Sequence, residues 1–120
     1  MNTPADGLIR FKSDLENIQI KRMTVNEIII TQDVPSVLYQ IPFELTIAPN
    51  RNWKEVLIDT WHSLIQQKEP FSNTVIWVFN NRILVNKVPS QLVNKQLETL
   101  ITNAVSITNE LMKLSSKRAI

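Results

Sequence analysis

The spacing of apolar and polar residues changes several times along the chain, and each change indicates a new element. Residues 37–47, VLYQIPFELTI, alternate between the two classes, which is typical of a β-strand with one core face. Pro42 has no backbone N–H to donate, so it predicts an edge strand or a local break. The predicted core-facing residues of this strand are Val37, Tyr39, Ile41, Phe43, Leu45 and Ile47.

Residues 18–32, IQIKRMTVNEIIITQ, are also strand-rich. They predict either one long bent strand or two short strands broken near Asn26. The three consecutive isoleucines, residues 28–30, suggest burial on both faces. Residues 3–16 predict an N-terminal helix, because Thr3 fits an N-cap. The apolar residues of that helix, at helical spacing, are Leu8, Phe11 and Leu15.

Two later segments repeat apolar residues every three or four positions, as amphipathic helices do. The first covers residues 53–67, with Asn52 as its predicted N-cap and Glu69-Pro70 beyond its end. The predicted apolar stripe of this helix is Trp53, Val56, Leu57, Trp61 and Leu64. A long final helix is predicted to follow Ser90 as its N-cap. Its apolar face is Val93, Leu97, Leu100, Ile101, Ala104, Val105, Leu111 and Met112, widened by Ile107 and Leu114.

Residues 74–88, TVIWVFNNRILVNKV, predict a β-hairpin. Asn80-Asn81 lies between two runs of β-branched and aromatic residues, and a two-residue Asn-Asn loop favours a type I′ turn. This turn would pair Phe79 with Arg82 and, further along the strands, Val78 with Ile83, Trp77 with Leu84 and Ile76 with Val85.

The element order is therefore (α)ββαββα. It predicts one α+β domain over residues 1–120, a two-layer sandwich. Its sheet would be mostly antiparallel, with about four strands and with helices on one face.

The two faces of the predicted hairpin differ in composition. The aliphatic face, which we expect to pack against the helices, is Ile76, Val78, Ile83 and Val85. The other face carries Val75, Trp77, Phe79, Arg82, Leu84 and Asn86, a combination of Trp, Phe and Arg that is typical of interface hot spots. The N-terminal segment, a second copy of the chain, or a ligand or foreign protein could cover it. The candidate binding residues are Trp77, Phe79, Arg82 and Leu84, with Gln40 and Glu44 from a neighbouring strand.

The composition narrows the possible chemistry. With no cysteine, the chain has no disulfide, no zinc–thiolate site and no cysteine nucleophile, and a cytoplasmic location is expected. The single glycine excludes glycine-rich phosphate loops, and its scarcity beside abundant Asn, Ile and Lys suggests a low-GC bacterial or mobile-element gene. No secretory signal and no membrane-spanning run are expected.

The net charge of +2 and the sequence pI near 9.1 indicate only a small basic excess. Most of the basic groups are interrupted by acidic residues, so solvated charge is favoured over a phosphate-binding track. The candidate nucleic-acid contacts are Arg10, Lys12, Lys21, Arg22, Lys113, Lys117 and Arg118.

His62 is the only histidine, and Asp59 lies three residues before it on the predicted polar helix face. This pair is the only acid–base candidate, and a solvent-facing role is favoured over catalysis. No metal and no cofactor are expected, because the acidic residues are scattered.

We therefore expect a non-enzymatic interaction or assembly domain, homodimeric through the apolar sheet face or the C-terminal helix. One alternative is a nucleic-acid-associated accessory protein. A second is a small-ligand-binding domain or enzyme with a site between sheet and helix.

Overall fold

A computed structural model describes residues 17–34, 37–66, 68 and 71–118, with side chains to residue 114. The predicted helix over residues 3–16 lies outside the described residues. The strands are β1 (Ile20–Met23), β2 (Ile29–Gln32), β3 (Leu38–Leu45), β4 (Val75–Phe79) and β5 (Arg82–Pro89). The helices are α1 (Arg51–Ile65) and α2 (Lys95–Arg118). Short 3₁₀ turns are Val25–Glu27, Phe71–Asn73 and Ser90–Leu92.

The five described strands form one antiparallel sheet, which confirms the predicted α+β arrangement. β3 is central: it pairs on one side with β1 and then β2, and on its other side with β5. β4 pairs with the far side of β5. The sheet is therefore four strands wide, because β1 and β2 share one edge.

The interruption between β1 and β2 explains the position of Pro42. The turn Val25–Glu27 separates the two strands, so of the two predicted alternatives the one with two short strands broken near Asn26 is confirmed. The Pro42 carbonyl accepts a hydrogen bond from the Thr24 N–H at 2.9 Å, and the proline nitrogen points the same way. Neither the edge position nor the local break predicted from Pro42 is correct: β3 is central and continuous from Leu38 to Leu45, and the interruption lies in the neighbouring strand instead.

Both predicted helix caps are wrong by a few residues. α1 begins at Arg51, and the side chain of Asn50, not Asn52, accepts the Trp53 N–H at 2.9 Å. Ser90 begins a 3₁₀ turn instead of the final helix. Asn94 lies just before α2, and its side chain accepts the N–H of Gln96, in the first turn of that helix, at 2.9 Å. In this Asn-rich chain several residues can cap, and the spacing alone does not distinguish them.

The predicted hairpin register is confirmed, because the four predicted pairs are present. Type I′ requires positive φ at both turn residues, but only Asn80 has one, at 55°. The predicted turn type is therefore wrong, and the positive φ at the first position alone resembles a type II′ turn. Lys87, with φ 61°, marks a bulge that places one extra β5 residue opposite Gln40.

One hydrophobic core fills the space between the sheet and the two helices. The buried apolar side chains include Ile18, Ile41, Phe43, Leu45, Trp53, Leu57, Trp61, Ile76, Ile83, Val85, Leu97, Ile101 and Ala104. The predicted aliphatic hairpin face is therefore the inner face, with Val78 half-buried against the core. The predicted two-sided burial of residues 28–30 is wrong, because β2 is an edge strand. Ile29 and Ile30 are 51% and 57% exposed.

The apolar stripe of α2 is wider than the core can cover. Its first part is buried, but the side chains that widen it farther along the helix, Ile107, Leu111 and Leu114, are exposed. Ile107 and Leu111 line a shallow groove of about 440 Å³ with Val56 and Leu64 of α1.

Candidate interaction surface

The outer face of the sheet, opposite the helices, is built by strand alternation. Ile41, Phe43 and Leu45 point into the core, so Gln40, Pro42 and Glu44 lie on the opposite side. Cross-strand partners share a face, so the register extends this surface across the whole sheet. The outer face comprises Arg22, Ile29, Gln40, Pro42, Glu44, Val75, Trp77, Phe79, Arg82, Leu84 and Asn86.

Its side chains lie in rows that cross the strands. One row runs from Phe79 through Arg82 and Glu44 to Arg22. The next row contains Trp77, Leu84 and Pro42. A third row runs from Val75 through Asn86 and Gln40 to Ile29. The structure thus brings together the six residues predicted for binding, including Gln40 and Glu44 from β3.

The apolar part of the outer face is concentrated on the edge strand β4. Trp77 is 60% exposed and Phe79 is 67% exposed, with half-buried Leu84 beside them. The exposed area of these two rings amounts to roughly 250 Å². Removing that area from water would stabilise a complex by roughly 6 kcal/mol before other costs. This aromatic pair is the principal solvent-exposed apolar surface on the outer face of the described sheet.

Two ion pairs lie beside the aromatic pair. The Nε of Arg22 donates to Oε2 of Glu44 at 2.8 Å, and Nη1 of Arg82 lies 2.9 Å from Oε2 of Glu27. The hydrogen bond from Arg22 is the main cause that lowers the pKa of the Glu44 carboxyl. Burial opposes this shift, while the charges of Arg22, Lys21 and Arg82 add to it. The four charges cancel when Glu27 of the 3₁₀ turn is included, so the outer face combines exposed aromatic rings with two neutral ion pairs.

An amide pair lies in the third row. The Nε2 of Gln40 donates to Oδ1 of Asn86 at 2.8 Å, across the bulge in β5. Reasoning from sequence did not find Arg22, Glu27 and Ile29 as parts of this surface. Their membership depends on which strands pair, and only the alternation within each strand was readable.

The predicted basic residues are not gathered into a phosphate-binding track. Lys21, Arg22 and Lys113 line one groove of about 560 Å³ between β1 and α2, together with Glu98 and Glu110. Lys113 lies 3.5 Å from Glu110, and Arg22 pairs with Glu44. Arg10 and Lys12 lie outside the described residues, and Lys117 and Arg118 are on the last turn of α2, where side chains are not described.

The groove between β1 and α2 occupies the position expected for a ligand site between sheet and helix. Its wall includes the buried Asn109, whose side chain is already engaged. The Nδ2 of Asn109 donates to the Ile18 carbonyl at 2.7 Å, and its Oδ1 accepts the Trp53 indole N–H at 2.9 Å. This asparagine therefore has a structural role in joining both helices to the start of β1.

His62 and Asp59 are both exposed on α1, as predicted. No hydrogen bond or ion pair joins them, although both residues are described. Within the described ranges, no three His, Asp or Glu side chains converge as metal ligands would. In the same part of the chain, neither helix has the length and apolarity needed to cross a membrane.

Comparison with family models, curated proteins and solved structures found no match to this chain.

Proposed function

We propose that the protein is a non-enzymatic interaction or assembly domain whose outer sheet face binds another protein surface. One observation carries this proposal: Trp77 and Phe79 are exposed side by side on a regular strand. Large exposed aromatic rings that a partner covers often supply a large share of the binding free energy in protein interfaces.

The polar surroundings of the aromatic pair support the same function. Arg82 and Glu44 lie in one row beside Phe79, and both are already held in ion pairs with other side chains. A surface that covers such paired groups leaves no charge buried without a partner. His62 and Asp59 lie on a helix in the other layer, so the proposed binding surface is independent of them.

A second exposed apolar surface lies on the helix side. Ile107, Leu111 and Leu114 of α2 are 38%, 43% and 52% exposed. These three aliphatic side chains offer less area than the aromatic pair and its neighbours, so the outer face is the principal proposed interface. The cysteine-free composition suits a reducing compartment, so we propose a cytoplasmic location. We also propose that the gene belongs to a low-GC bacterial genome or to a mobile element.

Hydroxyl-radical footprinting tests the proposal directly. Trp77 and Phe79 should be oxidised rapidly in dilute purified protein and be protected in extract of the native host or in concentrated purified protein. Leu114 serves as the matched control, because it is exposed but belongs to the helix layer. Unchanged oxidation of Trp77 and Phe79 in both extract and concentrated protein would contradict the proposed interaction function.

A further inference from the structure

We infer that the partner of the outer face is a second copy of this chain, packed face to face about a two-fold axis between β3 and β5. The axis would lie between the two sheets and run parallel to the strands. This inference rests on the proposed function, because it names the partner of the same surface. The supporting observation is that the outer face is complementary to itself.

Because the two-fold axis is parallel to the strands, rotation about it keeps each residue at the same height along the strand direction. It places each strand of one copy over a different strand of the other copy. β5 of one copy comes to lie over β3 of the other, and β4 comes to lie over the edge formed by β1 and β2. Arg82 and Glu44 are register partners on β5 and β3. Within one copy, Arg82 already pairs with Glu27 and Glu44 with Arg22. Arg82 of each copy therefore faces Glu44 of the second copy in a network of alternating charges, and this contact is made twice.

The remaining members of that row also match. Phe79 and Arg22 lie at opposite ends of the row, outside Arg82 and Glu44. The rotation places the Phe79 ring of one copy over the Arg22 guanidinium of the other, an arrangement that permits a cation–π contact. Within this one row, each charged or aromatic side chain of one copy therefore lies opposite a complementary side chain of the other copy.

The third row follows the same rule. The rotation places Asn86 of one copy opposite Gln40 of the other, so two side-chain amides lie in contact there. Val75 at one end of the row falls over the exposed Ile29 at the other end. Trp77, on the same strand as Val75, lies next to this apolar contact. No row brings like charges together, which is the requirement for a self-complementary interface.

The size of the surface predicts a dimer of moderate affinity. Four strand positions spaced about 4.8 Å apart, the longest about 27 Å, present roughly 500 Å² per copy. The total of roughly 1,000 Å² is near the lower limit for a specific interface, so we expect a dissociation constant of roughly micromolar magnitude. Twist turns stacked sheets by about 30° relative to each other, so the matching is best near the axis.

Charge reversal with sedimentation equilibrium tests the inference. We expect wild type to show a monomer–dimer equilibrium, and Arg82→Glu and Glu44→Arg each to weaken it by about tenfold or more. An equimolar mixture of the two variants should recover dimers, because each of the two contacts then joins one acidic and one basic side chain. Arg51→Glu, which reverses one charge of the exposed Arg51–Glu55 pair on α1, should leave the equilibrium unchanged.

The outcomes separate the inference from the proposed function. A wild type that remains monomeric, or a mixture that remains monomeric while circular dichroism shows both variants folded, would overturn the two-fold dimer. If Trp77 is nevertheless protected from radicals in host extract, the interaction function stands and the partner is a different protein. If Trp77 is protected in neither extract nor concentrated protein, both the inference and the proposed function are wrong.

Discussion

Trp53 donates its indole N–H to the side-chain oxygen of Asn109 at 2.9 Å, although 56 residues separate them in sequence. The amide nitrogen of Asn109 donates in turn to the Ile18 carbonyl at 2.7 Å. This buried chain of hydrogen bonds connects α1, α2 and the residue that leads into β1. It fixes the helix layer against one edge of the sheet and leaves the outer face free of helices.

Replacing Asn109 should therefore destabilise the fold strongly. Asn109→Leu leaves the Trp53 N–H and the Ile18 carbonyl buried without partners, and we expect a loss of about 2–4 kcal/mol in the free energy of unfolding. Urea denaturation followed by circular dichroism measures this. Asn103→Leu, at an exposed position of the same helix, should change stability by less than about 0.5 kcal/mol. Equal effects of the two substitutions would contradict the role of the hydrogen-bond chain.

The N-terminal cap of α1 gives a second prediction. The side chain of Asn50 accepts the Trp53 N–H, so Asn50→Ala should lower the free energy of unfolding by about 1 kcal/mol. Asn52→Ala, two residues later on the exposed surface of the helix, should cost less than about 0.5 kcal/mol. Thermal denaturation of both variants compares them under the same conditions. A larger loss at Asn52 would mean that the helix begins where the sequence pattern first placed it.

The parts of the fold that could be predicted from the sequence are those that depend on residues close together in the chain. The hairpin register was predictable, because a two-residue Asn-Asn turn fixes the cross-strand pairs on both sides. Most of the buried apolar stripe of α1 was predictable from its period, but the buried Ile65 was not part of the prediction. The order of the strands was not, because it depends on pairing between segments far apart in sequence. For this reason Gln40 and Glu44 could be named as candidates but not placed beside Arg82. Arg22 and Glu27 were not associated with that surface at all.

Glu44 predicts a pH dependence of stability. Its pKa is lowered in the fold, first by the hydrogen bond from Arg22, so the ionised form is favoured when the protein is folded. The resulting stabilisation is fully present above the pKa of Glu44 in the unfolded chain and is lost as the pH falls through the lower folded pKa. Glu44→Gln cannot ionise, so wild type should lose more stability than the variant on acidification. Urea denaturation from neutral to strongly acidic pH measures the difference, and parallel curves would contradict it.

Nucleic-acid binding should remain at the non-specific level. Of the three described cations that line the groove between β1 and α2, Arg22 and Lys113 are each close to a carboxylate, which weakens their attraction for phosphate. We expect dissociation constants of roughly 10⁻⁴ M or weaker for random duplex DNA near physiological salt. Fluorescence anisotropy at two salt concentrations checks this. Micromolar binding that weakens steeply with salt would favour a nucleic-acid-associated protein instead.

The most direct test of the interaction surface is sedimentation velocity of Trp77→Arg, with circular dichroism to establish that it is folded. Because Trp77 is 60% exposed on the outer face, the substitution should preserve the fold. It should also abolish self-association, since a charge would be buried at the interface without a partner. Leu114→Arg, on the helix layer, is the matched control and should associate as wild type does. A monomeric wild type together with a Trp77→Arg variant that unfolds would contradict the account, because Trp77 would then be needed for the fold of the single chain.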